Sequence, residues 1–153
     1  MFLRNGIYWS PDSGAGDSPG DGAGDTPGPA REGGAGTIPD LSGPLTLTAH
    51  CVVFKVGNRL PHFKGTIFDN GTALDLTSAD AITFRMRPSW SPDWTISGAT
   101  ATLDPDVVGG VVYAWAANDL AAEGVYFVDV TPTWGGESAT APGGSYVVLT
   151  VLP

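Results

Sequence analysis

The chain has 153 residues, 42% of them hydrophobic, with 22 glycines, 13 prolines and a formal net charge of −9. That length suits one domain, or a domain with an appendage. Lys and Arg number 7 against 16 acidic residues and form no cluster, which excludes a surface that tracks nucleic-acid phosphates and disfavours an anionic membrane.

Residues 1–10 form a short apolar leader carrying Phe2, Leu3, Ile7, Tyr8 and Trp9. Its opening, Met1-Phe2-Leu3-Arg4-Asn5-Gly6, is too short and polar for the apolar region of a secretion signal. A piece this small cannot form its own core. Its aromatic rings are therefore expected to dock on another chain. Residues 11–43 hold a large share of the Gly and Pro. They contain a near-repeat, Ala15-Gly16-Asp17-Ser18-Pro19-Gly20 and Ala23-Gly24-Asp25-Thr26-Pro27-Gly28. Glycine does not fall at every third position, so a collagen helix is excluded. Such a composition cannot bury enough apolar area to offset chain entropy, and it reads as a flexible or extended tether.

From Leu45 onward the chain turns rich in Val, Thr, Ile and aromatics, and residues 44–153 read as one all-β domain. Strands are expected at 45–56, 62–68, 81–87, 94–103, 110–116, 124–133 and 145–152. Turn signals separate them: Gly57-Asn58, Asp69-Asn70-Gly71, residues 88–93, Asp104-Pro105-Asp106, Asn118-Asp119, Gly135-Gly136 and Pro142-Gly143-Gly144. About seven short strands with such turns predict an antiparallel β-sandwich. Helix is confined to a single turn near 118–122. In-phase alternation predicts that Ile82, Phe84, Tyr113, Trp115, Tyr126, Val128 and Leu149 are buried. The last strand is apolar on both faces, which predicts a central or covered position. Gly124-Val125-Tyr126 resembles a tyrosine corner, in which the hydroxyl of a Tyr opening a strand bonds a nearby backbone group. Cys51 is the sole cysteine, so no intrachain disulfide can form. No apolar run approaches the ~18 residues that span a bilayer, so no membrane insertion is expected.

Residues 60–153 resemble the immunoglobulin-like domain at the N-terminus of phage baseplate upper proteins, a family of bacteriophage tail modules. The similar segments are Leu60-Pro61-His62-Phe63-Lys64-Gly65-Thr66-Ile67, then Asp69-Asn70-Gly71-Thr72-Ala73-Leu74-Asp75-Leu76-Thr77, then Ile82-Thr83-Phe84-Arg85-Met86-Arg87. Gly110 to Trp115, Gly124 to Val130 and the closing Val147, Leu149, Val151 and Pro153 complete the pattern. These motifs are structural, and they imply an immunoglobulin-like scaffold rather than a reaction.

Candidate chemistry is sparse. His50, Cys51 and His62 are too few and too poorly spaced for a metal site, which normally takes three or four ligands. Asp69, Asp75, Asp104 and Asp106 sit in turns, where solvated carboxylates are far commoner than the six to eight converging oxygens calcium needs. No nucleophile elbow, phosphate loop or zinc-protease motif occurs, so neither an enzyme nor a cofactor is expected. Trp90 and Trp94 flank a loop and Trp134 opens another. Such rings either cap the sandwich end or bind a partner at the surface. The leading expectation is a non-enzymatic bacteriophage virion structural protein. It would be made in the host bacterial cytoplasm and placed in many copies in the tail, baseplate or head, as a capsid accessory or joining piece. Its leader and tether would dock on other virion structural proteins. The alternative is a β-sandwich that binds host-surface glycan or receptor through the Trp90/Trp94 loop.

Overall fold

The computed structural model describes residues 36–153, which form eleven strands and no helix. They are β1 (Leu45–Ala49), β2 (Val53–Lys55), β3 (Phe63–Asp69), β4 (Thr72–Ala73), β5 (Ala81–Pro88), β6 (Ile96–Thr100), β7 (Thr102–Leu103), β8 (Gly110–Tyr113), β9 (Gly124–Trp134), β10 (Glu137–Ser138) and β11 (Val147–Leu152). One sheet runs β1-β3-β8-β7, with β4 beside β3. The other runs β2-β11-β9-β5-β6, with β10 beside β9. Every pairing is antiparallel except β2 with β11.

The two sheets bury their facing sides because each strand alternates. Ile82, Phe84 and Met86 of β5 point inward with Tyr126, Val128 and Val130 of β9 and Leu149 and Val151 of β11. From the other sheet come Leu45 and Leu47, Phe63 and Ile67, and Val111 and Tyr113. All seven residues expected in the core are buried. Aromatic rings join the layers at the centre. Phe84 stacks on Tyr113, with centroids 4.2 Å apart and planes 6° apart, and meets Phe63 at 5.0 Å. Trp115 packs edge-on to Phe84 at 5.7 Å and donates its indole N–H to the Pro61 carbonyl at 3.1 Å.

Three expectations need correction. The stretch 45–56 is not one strand: β1 pairs β3 in the first sheet and β2 pairs β11 in the second. The chain crosses between sheets at residues 50–52. There the His50 amide donates to Lys64 O in one layer, and Val52 O accepts from the Thr150 amide in the other. The stretch 94–103 divides in the same way, into β6 in the second sheet and β7 in the first. Near 118–122 the chain forms a turn without a helix. The Asp119 carboxylate closes it by accepting from the Ala116 amide at 2.6 Å and the Tyr113 hydroxyl at 2.7 Å.

The Tyr126 hydroxyl donates to the Ala122 carbonyl at 2.9 Å, the backward bond of a tyrosine corner. The domain also begins earlier than residue 44. Leu41 packs against the core, and the Ser42 amide and hydroxyl both donate to Asp69, at 2.8 and 2.9 Å. The Gly36 amide donates to Asp80 at 2.9 Å, and a Cβ there would fall 2.0 Å from the Ser78 carbonyl oxygen, so only glycine fits. The remaining tether and the leader residues Phe2, Leu3, Ile7, Tyr8 and Trp9 lie outside the described residues.

Candidate functional site

The outward face of the second sheet carries the densest chemistry. Alternation in β5 and β9 that buries Phe84 and Val128 turns Arg85, Arg87, Phe127 and Asp129 outward. Register then sets Arg85 opposite Asp129 and Arg87 opposite Phe127, and β11 adds Val148 opposite Phe127. Arg85 grips Asp129 with two bonds, Nε to Oδ1 at 2.7 Å and Nη2 to Oδ2 at 3.0 Å. Asp129 is only 2% exposed although it lies on the solvent side of the sheet.

Aromatic rings surround the two guanidinium groups. Arg85 lies 4.6 Å from the centroid of the Trp94 ring. Arg87 lies 5.7 Å from Trp94, 5.2 Å from Phe127 and 4.9 Å from Tyr146, and donates to the Ser91 carbonyl at 2.8 Å. Each such contact contributes about 0.5–1 kcal/mol at exposed sites, so together they hold the side chains in place. Tyr146 stacks on Phe127, with centroids 5.0 Å apart and planes 10° apart.

A local break in the β9 partner strand brings Tyr146 here. Residues 137–141 pair with the end of β9, and Val130 and Ala141 exchange two amide bonds at 2.8 Å. The chain then leaves the ladder at 142–146, where the Gly143 amide donates to the Leu45 carbonyl at 2.8 Å. Pairing resumes when Val147 meets Val128. Beside this bulge is a cleft of about 270 Å³, lined by Arg85, Trp94, Asp129, Thr140, Tyr146 and residues 142–145.

A second cleft, of about 240 Å³ and mostly apolar, is lined by Leu76, Thr77, Leu103, Val107 and Val108. Asp104 lines it while accepting from Lys64 Nζ at 2.9 Å. The Lys64 hydrogen bond, with a second from the Asp106 amide, holds the Asp104 carboxyl below its ordinary value and raises Lys64 in turn.

The other sequence candidates are dispersed. Asp69 caps Ser42, and Asp75 accepts from the Thr77 amide and hydroxyl at 2.9 and 2.7 Å. The Asp106 amide donates to Asp104 at 3.2 Å. His50 bonds the Thr66 hydroxyl at 2.9 Å, Cys51 contacts the Val53 carbonyl at 3.3 Å, and the Nδ1 of His62 is buried without a partner. Among the described residues no three His, Cys, Asp or Glu side chains gather as a metal site would require.

The tryptophans separate. Trp90 is 67% exposed and leans over the end of the sandwich, 6.2 Å from the Tyr126 ring. Trp94 is half-buried beneath Arg85 and Arg87 on the sheet face. Trp134 is 1% exposed and belongs to the core, so it is not a surface-binding residue. It is the last inward position of β9, in phase with Tyr126, Val128 and Val130. Arg85, Arg87, Phe127, Asp129 and Tyr146 were absent from the sequence candidates. Aligning 81–87 against 124–133 is the one operation that would have placed Arg85 opposite Asp129. No protein-family model matches the chain, and a search of curated proteins gives no match.

Proposed function

We propose that residues 36–153 are an immunoglobulin-like domain and that the chain is a non-enzymatic structural protein of a bacteriophage virion, tied to neighbouring subunits by its N-terminal arm. The observation that supports this reading is the strand order. An immunoglobulin sandwich of the variable type has sheets A-B-E-D and G-F-C-C′. Here β1-β3-β8-β7 stands for the first and β11-β9-β5-β6 for the second. Beside β11, β2 is the second half of a first strand that changes sheets. The tyrosine corner falls near the start of β9, the strand that corresponds to F. This agrees with the resemblance of residues 60–153 to the N-terminal domain of phage baseplate upper proteins, which favours the tail or baseplate over the head.

A scaffold carries no function by itself, so the virion role rests on that resemblance together with the arm. Asp80 accepts from the Gly36 amide at 2.9 Å and from the Gly135 amide at 2.5 Å. Gly36, the first described residue, thus lies beside the β9–β10 turn. Residues 11–35, extended at roughly 3.3 Å each, span about 80 Å, enough to reach another subunit. The test is peptide mass spectrometry of purified particles from infected cells expressing the chain. A fixed copy number per particle is expected, with loss of incorporation when residues 1–10 are deleted and the sandwich stays folded. Absence of the intact chain from particles refutes the virion role, and normal incorporation of the deletion refutes the docking role of the leader.

A further inference from the structure

We propose that the cleft on the outward face of the second sheet is a binding site for a neutral hexopyranose, with Asp129 and Arg85 as its hydrogen-bonding pair and Trp94 and Tyr146 as its apolar walls. The site does not include Trp90, and it does not depend on the virion role.

Asp129 is the least expected residue on this face. Its carboxylate is buried to 2% exposure, yet it lines a cleft open to solvent. A carboxylate offers about four lone-pair sites and a guanidinium five N–H donors. Their mutual grip uses two of each. By that count the pair keeps unused acceptor sites and N–H donors, with the Arg85 side chain 33% exposed and that of Asp129 3%. Adjacent hydroxyls on a pyranose ring match that arrangement: one donates to Asp129 while its neighbour accepts from Arg85. The pair carries no net charge. A phosphate or carboxylate ligand would meet Asp129, and a metal ion would meet Arg85, so neither is favoured.

The walls suit the other aspect of a sugar, its C–H face, which would pack on the part of each ring that Arg85, Arg87 and Phe127 leave open. Trp94 is held by Arg85 and Arg87, and Tyr146 is held by its stack on Phe127. Both rings are thus ordered before any ligand arrives, which removes part of the entropic cost of binding. Thr140 and Ser145 line the same cleft, and the Thr140 hydroxyl bonds that of Thr131 at 3.0 Å. A volume of about 270 Å³ lies below the range typical of drug-sized ligands and suits a single sugar ring. A cross-strand ion pair needed only for stability would account for the Arg85–Asp129 bonds. It would not account for the cleft beside them or for a Tyr146 left 45% exposed.

The test is an NMR titration of the full ¹⁵N-labelled chain, read at its tryptophan indole N–H signals, with the methyl glycosides of glucose, galactose, mannose and N-acetylglucosamine as probes. The expected result is a saturable shift of the Trp94 signal with a Kd on the order of 1 mM for at least one glycoside. Tyr146→Ala and Asp129→Asn should each weaken binding by about tenfold or more, and Trp90→Ala should leave it unchanged. Should Asp129→Asn fail to fold, Tyr146→Ala still decides, because that side chain is exposed. The proposal is overturned by the absence of a saturable shift with all four glycosides up to about 100 mM, by unaltered affinity in Tyr146→Ala, or by loss of binding in Trp90→Ala. Particle incorporation is measured separately, so failure of either proposal is recognised on its own.

Discussion

Phe84 is the most informative single position for the fold. Its side chain is 0% exposed and packs against Tyr113, Phe63 and Trp115, which come from the opposite layer. Phe84→Ala should cost about 3–5 kcal/mol, the usual loss for a buried Phe. The upper half of that range is expected, because the cavity would be lined by rigid rings that cannot collapse into it. Against a total stability of roughly 5–15 kcal/mol, that leaves a marginal protein. Phe84→Leu keeps most of the volume and should cost about 1–3 kcal/mol, chiefly the lost stacking and shape fit. Urea unfolding followed by tryptophan fluorescence measures both, since Trp115 and Trp134 are buried and report the transition. A double-mutant cycle of Phe84→Leu with Tyr113→Leu should return a coupling of about 0.5–1.5 kcal/mol. The Tyr113–Asp119 bond is lost equally on both sides of the cycle and cancels. A loss below about 1.5 kcal/mol for Phe84→Ala would refute the claim that these rings form the centre of the core.

Other outcomes follow from the polar contacts. Tyr126→Phe removes one hydrogen bond to a carbonyl that water can reach, so unfolding should show a loss of about 1 kcal/mol, and an unchanged midpoint would show that the corner is ornamental. Asp69, Asp75 and Asp80 are held below the ordinary 3.8, chiefly by the backbone amides of Ser42, Thr77 and Gly135, and Asp104 chiefly by Lys64. Their contribution is complete above the unfolded value and is lost as pH falls through the lower folded values. The urea midpoint should therefore stay level from neutral pH to about 5 and drop below about 4, and a flat profile down to pH 2.5 would contradict this. Gly36→Ala places a methyl group against the Ser78 carbonyl, so hydrogen exchange should quicken at the amides of Gly36 and Gly135 while Val128 stays protected.

What could be read of the fold from the sequence is the part that depends on period-2 alternation. Ile82, Phe84, Tyr126, Val128 and Leu149 repeat every second residue, and a half-buried strand leaves them no other face. The two strands that change sheets were missed because a crossing does not interrupt the apolar character. It does shift the phase. Leu45 and Leu47 point inward at odd positions, whereas Phe54 does so at an even one. That slip between Ala49 and Phe54 is the available trace of the crossing. Trp134 was misplaced for the opposite reason: the alternation of β9 runs one residue beyond the expected end of the strand, into what reads as a turn.

The outward face obeys a different rule. Periodicity says only that Arg85, Arg87, Phe127 and Asp129 avoid the core, and the bland reading of such residues is a solvated surface. What makes them a site is register between strands about forty residues apart, a turn that returns Trp94 beneath Arg85, and a bulge that delivers Tyr146 onto Phe127. None of these is a local property of sequence. The same division separates stability from binding. Val128 and Tyr146 lie on opposite sides of one sheet. Val128→Ala opens a cavity in a fully packed layer and should cost roughly 2 kcal/mol or more, by comparison with other truncations of buried aliphatic side chains. It should leave the cleft intact. Tyr146→Ala removes an exposed ring and should shift stability by less than about 1 kcal/mol, the order of one aromatic pair. Urea unfolding and the glycoside titration, run on both variants, separate the two. If Tyr146→Ala instead unfolds the sandwich as readily as Val128→Ala, then the aromatic face is part of the structural framework rather than a surface kept free for a ligand.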